Sequence, residues 1–152
     1  ECIALNIVLD PNYHCKTLGG ATCWILAARY GHIRYLRRFY QLFKYQININ
    51  DVDYEGDSAL SHVAWFGESQ CIIELHALAP EIDVNKENAH GLTALMRAAI
   101  NNQGEVIQIL YKVFGAHLHI DYHNRFNYNA IMYAKYYQSD IAYRELEYIY
   151  RR

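Results

Sequence analysis

No apolar run in this chain approaches the roughly 20 residues of a membrane span, and no signal-peptide pattern precedes it. Charge of one sign is also missing: Lys and Arg number 14, Asp and Glu 16, for a formal net charge of −2. With a pI near 6.5 there is no electrostatic footprint for nucleic acid or an anionic membrane. Four cysteines (Cys2, Cys15, Cys23, Cys71) include no CxxC pair and no regular framework, which argues against a disulfide scaffold. They read as reduced thiols of an intracellular protein. Cys23 and Cys71 fall in helical segments, where cysteine behaves as a small buried hydrophobe. Proline is scarce, with two residues against fifteen tyrosines. That leaves more amphipathic rings than a thin structure can bury. The 152 residues suffice for one domain or one repeat array with a continuous core. The chain opens on Glu1 and not Met, and is expected to be a fragment or a processed product.

What is present is a phrase that recurs. Gly20-Ala21-Thr22 returns as Gly56-Asp57-Ser58, Gly91-Leu92-Thr93 and Asn127-Tyr128-Asn129, at intervals of 36, 35 and 36 residues. Periods of that size mark stacked supersecondary units, so the functional question becomes what docks on the stack. The cap position reads Thr22, Ser58, Thr93 and Asn129, all good helix N-caps. The turn position reads Gly20, Gly56, Gly91 and Asn127, residues that tolerate positive φ. The turn-opening position reads Thr17, Asp53, Asn88 and Asn124, side chains able to bond their own backbone. Small residues recur in mid-helix at Ala27-Ala28, Val63-Ala64, Ala98-Ala99 and Ala134, where neighbouring helices would approach. A longer apolar-periodic run follows each short helix, as at Cys71, Ile72, Leu75 and Leu78.

This pattern resembles the ankyrin repeat, whose usual phrase is D-x-x-G-x-T-P-L-H-x-A-A-x-x-G-H. The nearest matches are Gly91-Leu92-Thr93-Ala94-Leu95-Met96-Arg97-Ala98-Ala99 and the run from Gly20 through Ala27-Ala28-Arg29-Tyr30-Gly31-His32. The V-N step before each turn appears as Ile49-Asn50, Val84-Asn85 and Ile120-Asp121. The resemblance implies an all-α solenoid of helix-turn-helix units joined by short β-hairpin-like finger loops. Residues 1–16 would be a partial leading repeat, with 17–52, 53–87 and 88–123 as repeats one to three. Residues 124–152 would be a capping fourth repeat.

The family proline is absent (Cys23, Ala59, Ala94, Ala130), and its histidine is replaced by Ile25, Ser61, Met96 and Met132. Losing that histidine removes a hydrogen-bonded bridge between turns. Each period exceeds the usual value of about 33. The surplus falls around Lys44–Gln46, Pro80–Ile82 and Ala116–His119, so the outer helices or their loops should be long. In the last copy Gln138 stands for the helix-ending glycine and Lys135 for the second alanine, as suits a cap.

In such a stack the short inner helices line a concave face and the finger tips project from one edge, so recognition falls to positions not used in stacking. The tips would be Leu18, Gly19 and Ala21; Tyr54, Glu55 and Asp57; Ala89, His90 and Leu92; and Arg125, Phe126 and Tyr128. The inner helices contribute Arg29-Tyr30, Trp65-Phe66, Ile100-Asn101 and Tyr136-Tyr137. Leu26, His62, Arg97 and Tyr133 form a half-covered row beside them. The candidate partner-binding set is Arg29, Tyr30, Tyr54, Trp65, Phe66, Arg97, Ile100, Phe126, Tyr128, Tyr133, Tyr136 and Tyr137. Its Trp, Tyr and Arg content is that of binding hot spots, and an exposed apolar patch calls for a partner. The competing reading is that these rings tuck against the next repeat.

Other constellations carry less. His117, His119, Asp121 and His123 alternate, so an extended segment would point three imidazoles to one side. Their place in a solvated loop argues against a metal. Cys23, His62 and Asp57 suggest a thiol protease, but Cys23 takes the family's proline position with no oxyanion loop beside it. No Gly-rich phosphate loop or paired-carboxylate signature is present. Asp83-Val84-Asn85 resembles the finger sequence that asparaginyl hydroxylases accept in ankyrin proteins; the reading preferred here has Asn85 closing its own hairpin. His32 follows a helix-ending glycine and is read as structural, and Arg37-Arg38 and Arg151-Arg152 are too short for a nucleic-acid site.

The sequence thus predicts a monomeric, non-catalytic protein-interaction module that takes a protein or peptide partner, with no nucleic acid, membrane, metal or cofactor. Its Asn-, Ile- and Tyr-rich, proline-poor composition resembles ankyrin effectors that intracellular bacteria secrete, which would place it in a cytoplasm, the host's in that case. The alternative is the substrate-targeting segment of a larger enzyme whose catalytic domain lies outside these residues. A structural spacer would instead show a polar concave face.

Overall fold

The computed structural model describes residues 10–152. Most of the proposed leading unit, and Cys2 with it, lies outside the described residues. The chain forms eight α-helices among the described residues, in four short–long pairs. These are α1 (Cys23–Arg29) with α2 (Ile33–Phe43), α3 (Ala59–Phe66) with α4 (Ser69–Leu78), α5 (Ala94–Ile100) with α6 (Gly104–Phe114), and α7 (Ala130–Tyr136) with α8 (Asp140–Tyr150). The protein is therefore all-α. None of its described helices is long and apolar enough to cross a membrane.

Each short helix starts where the sequence supplies an acceptor. Thr22, Ser58, Thr93 and Asn129 accept from the N–H groups of Ile25, Ser61, Met96 and Met132, at 3.4, 3.2, 3.3 and 3.0 Å. Each ends by reversing through a left-handed residue, Gly31, Gly67, Asn102 and Gln138, with φ of 68°, 81°, 56° and 56°. Gln138 makes the same turn as the glycines despite its side chain. The long helix begins at once and folds back on its short partner.

The short helices α1, α3, α5 and α7 pack side by side in chain order, and α2, α4, α6 and α8 form a second layer in the same order. Between the layers lie Trp24, Leu36, Leu60, Ile72, Met96, Ile107, Leu110 and Leu146, all fully buried. Burying side chains of this size contributes about 1.5–3 kcal/mol each. The recurring Ala28, Ala64, Ala98, Ala99 and Ala134 are buried too, and let the short helices approach. Met132 is exposed on α7, whereas Ile25, Ser61 and Met96 at the matching position are buried, because no described helix covers that side.

The expected β-hairpin-like fingers are not formed. Among the described residues there is no strand, only isolated antiparallel bridges between Cys15 and Ala21 and between Val52 and Ser58. Each connection is a tight turn closed by one backbone bond (Asp53 to Asp57, Asn88 to Leu92, Asn124 to Tyr128), and side chains take up further backbone donors. Asp53 Oδ1 accepts from the N–H of Glu55 and Asp57, Asn88 Oδ1 from His90 and Leu92, and Asn124 Oδ1 from Phe126 and Tyr128, all at 2.9–3.0 Å. Thr17 does not join this series. The first turn is a 3₁₀ turn over Lys16–Leu18 closed by the backbone of Cys15, with the Thr17 hydroxyl 3.3 Å from Cys15 Sγ. At Gly56 (φ 76°) a Cβ would lie 2.7 Å from the Ala89 nitrogen, whose N–H donates to Glu55.

Neighbouring units are also joined by asparagine side chains gripping main chain. Asn12 spans the carbonyl of Gln46 and the N–H of Asn48, Asn50 those of Glu81 and Asp83, and Asn85 those of His117 and His119. Asn85 thus clamps the next unit, which corrects the expectation that it closes its own hairpin. An amide is both donor and acceptor, so one side chain can satisfy both groups.

Candidate functional site

The C-terminal ends of the short helices and the turns that precede them present the expected side chains. Tyr30, Tyr54, Phe66, Phe126, Tyr128, Tyr136 and Tyr137 are exposed, while Arg29, Trp65, Arg97, Ile100 and Tyr133 are half-buried. Trp65, Phe66, Tyr136 and Tyr137 are therefore not sequestered from water. Two predicted tips do turn inward: Ala21 is buried by its bridge to Cys15, and Asp57 by bonds within the fold.

The set divides into two clusters. In the first, the Arg29 guanidinium lies 5.1 Å from the Phe66 ring centre and 5.5 Å from that of Tyr30. Arg97 lies 4.8 Å over Trp65, and Phe66 stacks on His62 at 6.3 Å. The Asn101 side chain donates to the Trp65 carbonyl at 2.6 Å, fixing the end of α3 against α5. Tyr54 stands apart on its turn with its ring over Gly20, where a Cβ would come within 2.3 Å of it.

The second cluster brings Phe126, Tyr128, Tyr133, Tyr136 and Tyr137 around one pocket of about 290 Å³. Tyr133 lies 5.4 Å from Tyr128 and 6.5 Å from Tyr137, and Tyr136 meets Tyr137 edge-on at 5.1 Å. All five belong to the predicted set. The turn after Asn124 and the helix α7 place them together.

No protein-family model matches the chain, and no curated protein matches it in sequence. The functional reading therefore stands on the residues themselves.

Beneath the first cluster lies a charged knot the sequence did not reveal. Asp53, Asp57 and His62 bring ligand-type atoms within 4.8 Å of one another. Their oxygens are already taken. Asp53 pairs with His62 Nε2 at 2.7 Å, and Asp57 accepts from the Ser61 hydroxyl (2.7 Å), the Asn88 amide (2.8 Å) and the Arg97 guanidinium. Arg97 supplies the positive charge that a cation would bring, so the arrangement is an internal ion-pair network. Of the residues named for a thiol protease, His62 bonds Asp53, and Asp57 bonds Ser61, Asn88 and Arg97. The only clue in the sequence is the pair of carboxylates four residues apart beside a histidine.

His117 and His119 line another pocket, of about 330 Å³, with His76 and Phe114; Asp121 and His123 do not reach it. The alternation expected of an extended segment fails because Gly115–His117 is a 3₁₀ turn and a further turn closes from His119 to Tyr122. Burial pushes the Cys71 thiol up to about 11, with Glu68 and Glu74 adding to the shift. The half-buried Cys15 thiol is instead lowered by its bond with the Thr17 hydroxyl.

Proposed function

We propose that the chain is an ankyrin-type stack serving as a protein-interaction module without catalysis of its own, and that it binds a protein or peptide along the ends of the short helices. The observation that carries this reading is the set of exposed rings at the ends of α1, α3 and α7 (Tyr30, Phe66, Tyr136 and Tyr137), with Ile100 and Asn101 at the end of α5 between them, where a polar face would suffice for solubility. Three features support the stack: the unit-by-unit order of packing, the repeated cap and turn bonds, and the asparagine clamps at the spacing of one unit. The Trp65–Phe66 pair is its centre. Both rings carry a guanidinium, so aromatic and cationic surface meet there, as at binding hot spots.

The test is affinity capture and cross-linking with the wild-type chain beside a Trp65→Ala/Phe66→Ala double variant. The expected result is loss of the captured partner at an unchanged circular dichroism spectrum, each ring contributing on the order of 2 kcal/mol. Equal capture by both proteins would remove the assignment.

A further inference from the structure

The rings of this face are not all in the same electrostatic condition. The chain lays its own guanidinium groups over Tyr30 and Phe66 (Arg29), Trp65 (Arg97) and Phe126 (Arg125, 5.2 Å). Among the described residues no cation lies over Tyr128, Tyr133, Tyr136 or Tyr137, the four that share a pocket with Phe126. A ring face attracts a cation within about 6 Å of its centre, most strongly where water is displaced. The fold has supplied cations to Tyr30, Trp65, Phe66 and Phe126, and has left these four clustered rings, like the isolated Tyr54, without one.

The pocket is also built in advance. Asn124 is buried, and its amide donates to the Tyr133 hydroxyl at 2.9 Å. Its carbonyl oxygen holds the N–H groups of Phe126 and Tyr128 at 3.0 Å each. One side chain therefore sets both the turn that carries two of the rings and the tilt of a third. Tyr136 stands at 76° to Tyr137, so the walls do not collapse into a parallel stack. The lining contains no carboxylate. An ammonium bearing N–H groups would find no ionised acceptor there, whereas a fully methylated one needs none. The rings line a depression of about 290 Å³ that opens to solvent, so a head group carried on a chain can reach it.

We propose that the Tyr128, Tyr133, Tyr136, Tyr137 and Phe126 pocket binds a trimethylammonium group, presented as a trimethyllysine side chain of the peptide partner. The peptide source rests on the interaction-module reading; the cation site does not. Calorimetric titration of the whole chain tests both. Tetramethylammonium chloride should bind saturably, and choline at least about fivefold more tightly than its neutral isostere 3,3-dimethylbutan-1-ol. A trimethyllysine peptide should bind about tenfold more tightly than the same peptide unmodified. Tyr136→Ala and Tyr137→Ala should each weaken tetramethylammonium binding about fivefold with the circular dichroism spectrum unchanged, because both rings are exposed. Absence of tetramethylammonium binding, or equal affinity for choline and its neutral isostere, overturns the cation site. Tight choline binding with no preference for the trimethylated peptide overturns the peptide source. Tetramethylammonium needs no macromolecular partner, so failure of the wider binding role and failure of the pocket register separately.

Discussion

Asp57 and Arg97 face each other with side chains only 6% and 12% exposed, so each charge depends on the other in place of water. Removing one partner of such a pair strands the remaining charge. Arg97→Ala should therefore cost about 3–5 kcal/mol in urea unfolding, far more than its loss from the surface of Trp65 would explain. Arg37 pairs with Glu74 through two bonds of 2.7 Å, but its side chain is 59% exposed. Arg37→Ala should leave the unfolding midpoint within error, as for most exposed ion pairs. Equal losses from the two variants would show that burial is not what matters at Asp57. The network was illegible in the sequence for a physical reason. Asp53, Asp57 and Arg97 had separate places in a one-repeat alignment, and the bond joining Asp57 to Arg97 spans 40 residues between units.

At the scale of the helix, the signals that survived intact are those whose bonds close within a few residues. Thr22, Ser58, Thr93 and Asn129 each cap a helix from three residues away, so the letters alone located every short helix. Asn85 shows the opposite case, because its partners, the backbones of His117 and His119, lie in the next unit. The finger loops show a third. Asp53, Asn88 and Asn124 were legible as turn openers, and the side-chain bonds they add hold each connection to a tight turn in place of a longer hairpin. Gln138 gives this scale its prediction. It holds φ 56° between α7 and α8, a conformation that costs a side-chain-bearing residue about 1–2 kcal/mol. Glycine would relieve that cost while adding freedom to the unfolded chain. Gln138→Gly should raise stability by a net of about 0.5–1 kcal/mol, read as a higher melting temperature; a lower one would mean the glutamine side chain makes a bond worth more than the strain.

For the molecule as a whole, the period of the sequence announced the two helical layers, because a unit that cannot bury its own apolar face must repeat. It also placed the five rings of one pocket in the candidate set, although it is the fold that brings them together. Global stability should carry an alkaline signature. Cys71 is raised from 9.0 to about 11 and Tyr150 from 10.0 to about 12, in each case first by burial. Below their unfolded values both groups are neutral in either state, and their contribution to stability is fully present. As pH climbs past 9.0 and then 10.0 the unfolded chain ionises while the folded one does not, so stability drains away until about 11 and about 12. Urea midpoints should fall steadily from pH 8 to about pH 11, and more gently in a Cys71→Ala/Tyr150→Phe double variant. An unchanged slope would assign the decline to other groups.

The asparagine clamps have a consequence for which positions can be rewritten. Asn50 and Asn85 hold carbonyl and amide groups, never a side chain, so their grip is indifferent to which residues sit at Glu81, His117 and His119, whereas Asp83 also accepts from the Asn85 N–H and has to stay. Those loops can exchange their outward chemistry at little cost to assembly, provided the inward Ile82 and Leu118 between them are kept. One edge of the protein is thereby an open writing surface on a frame that stays the same.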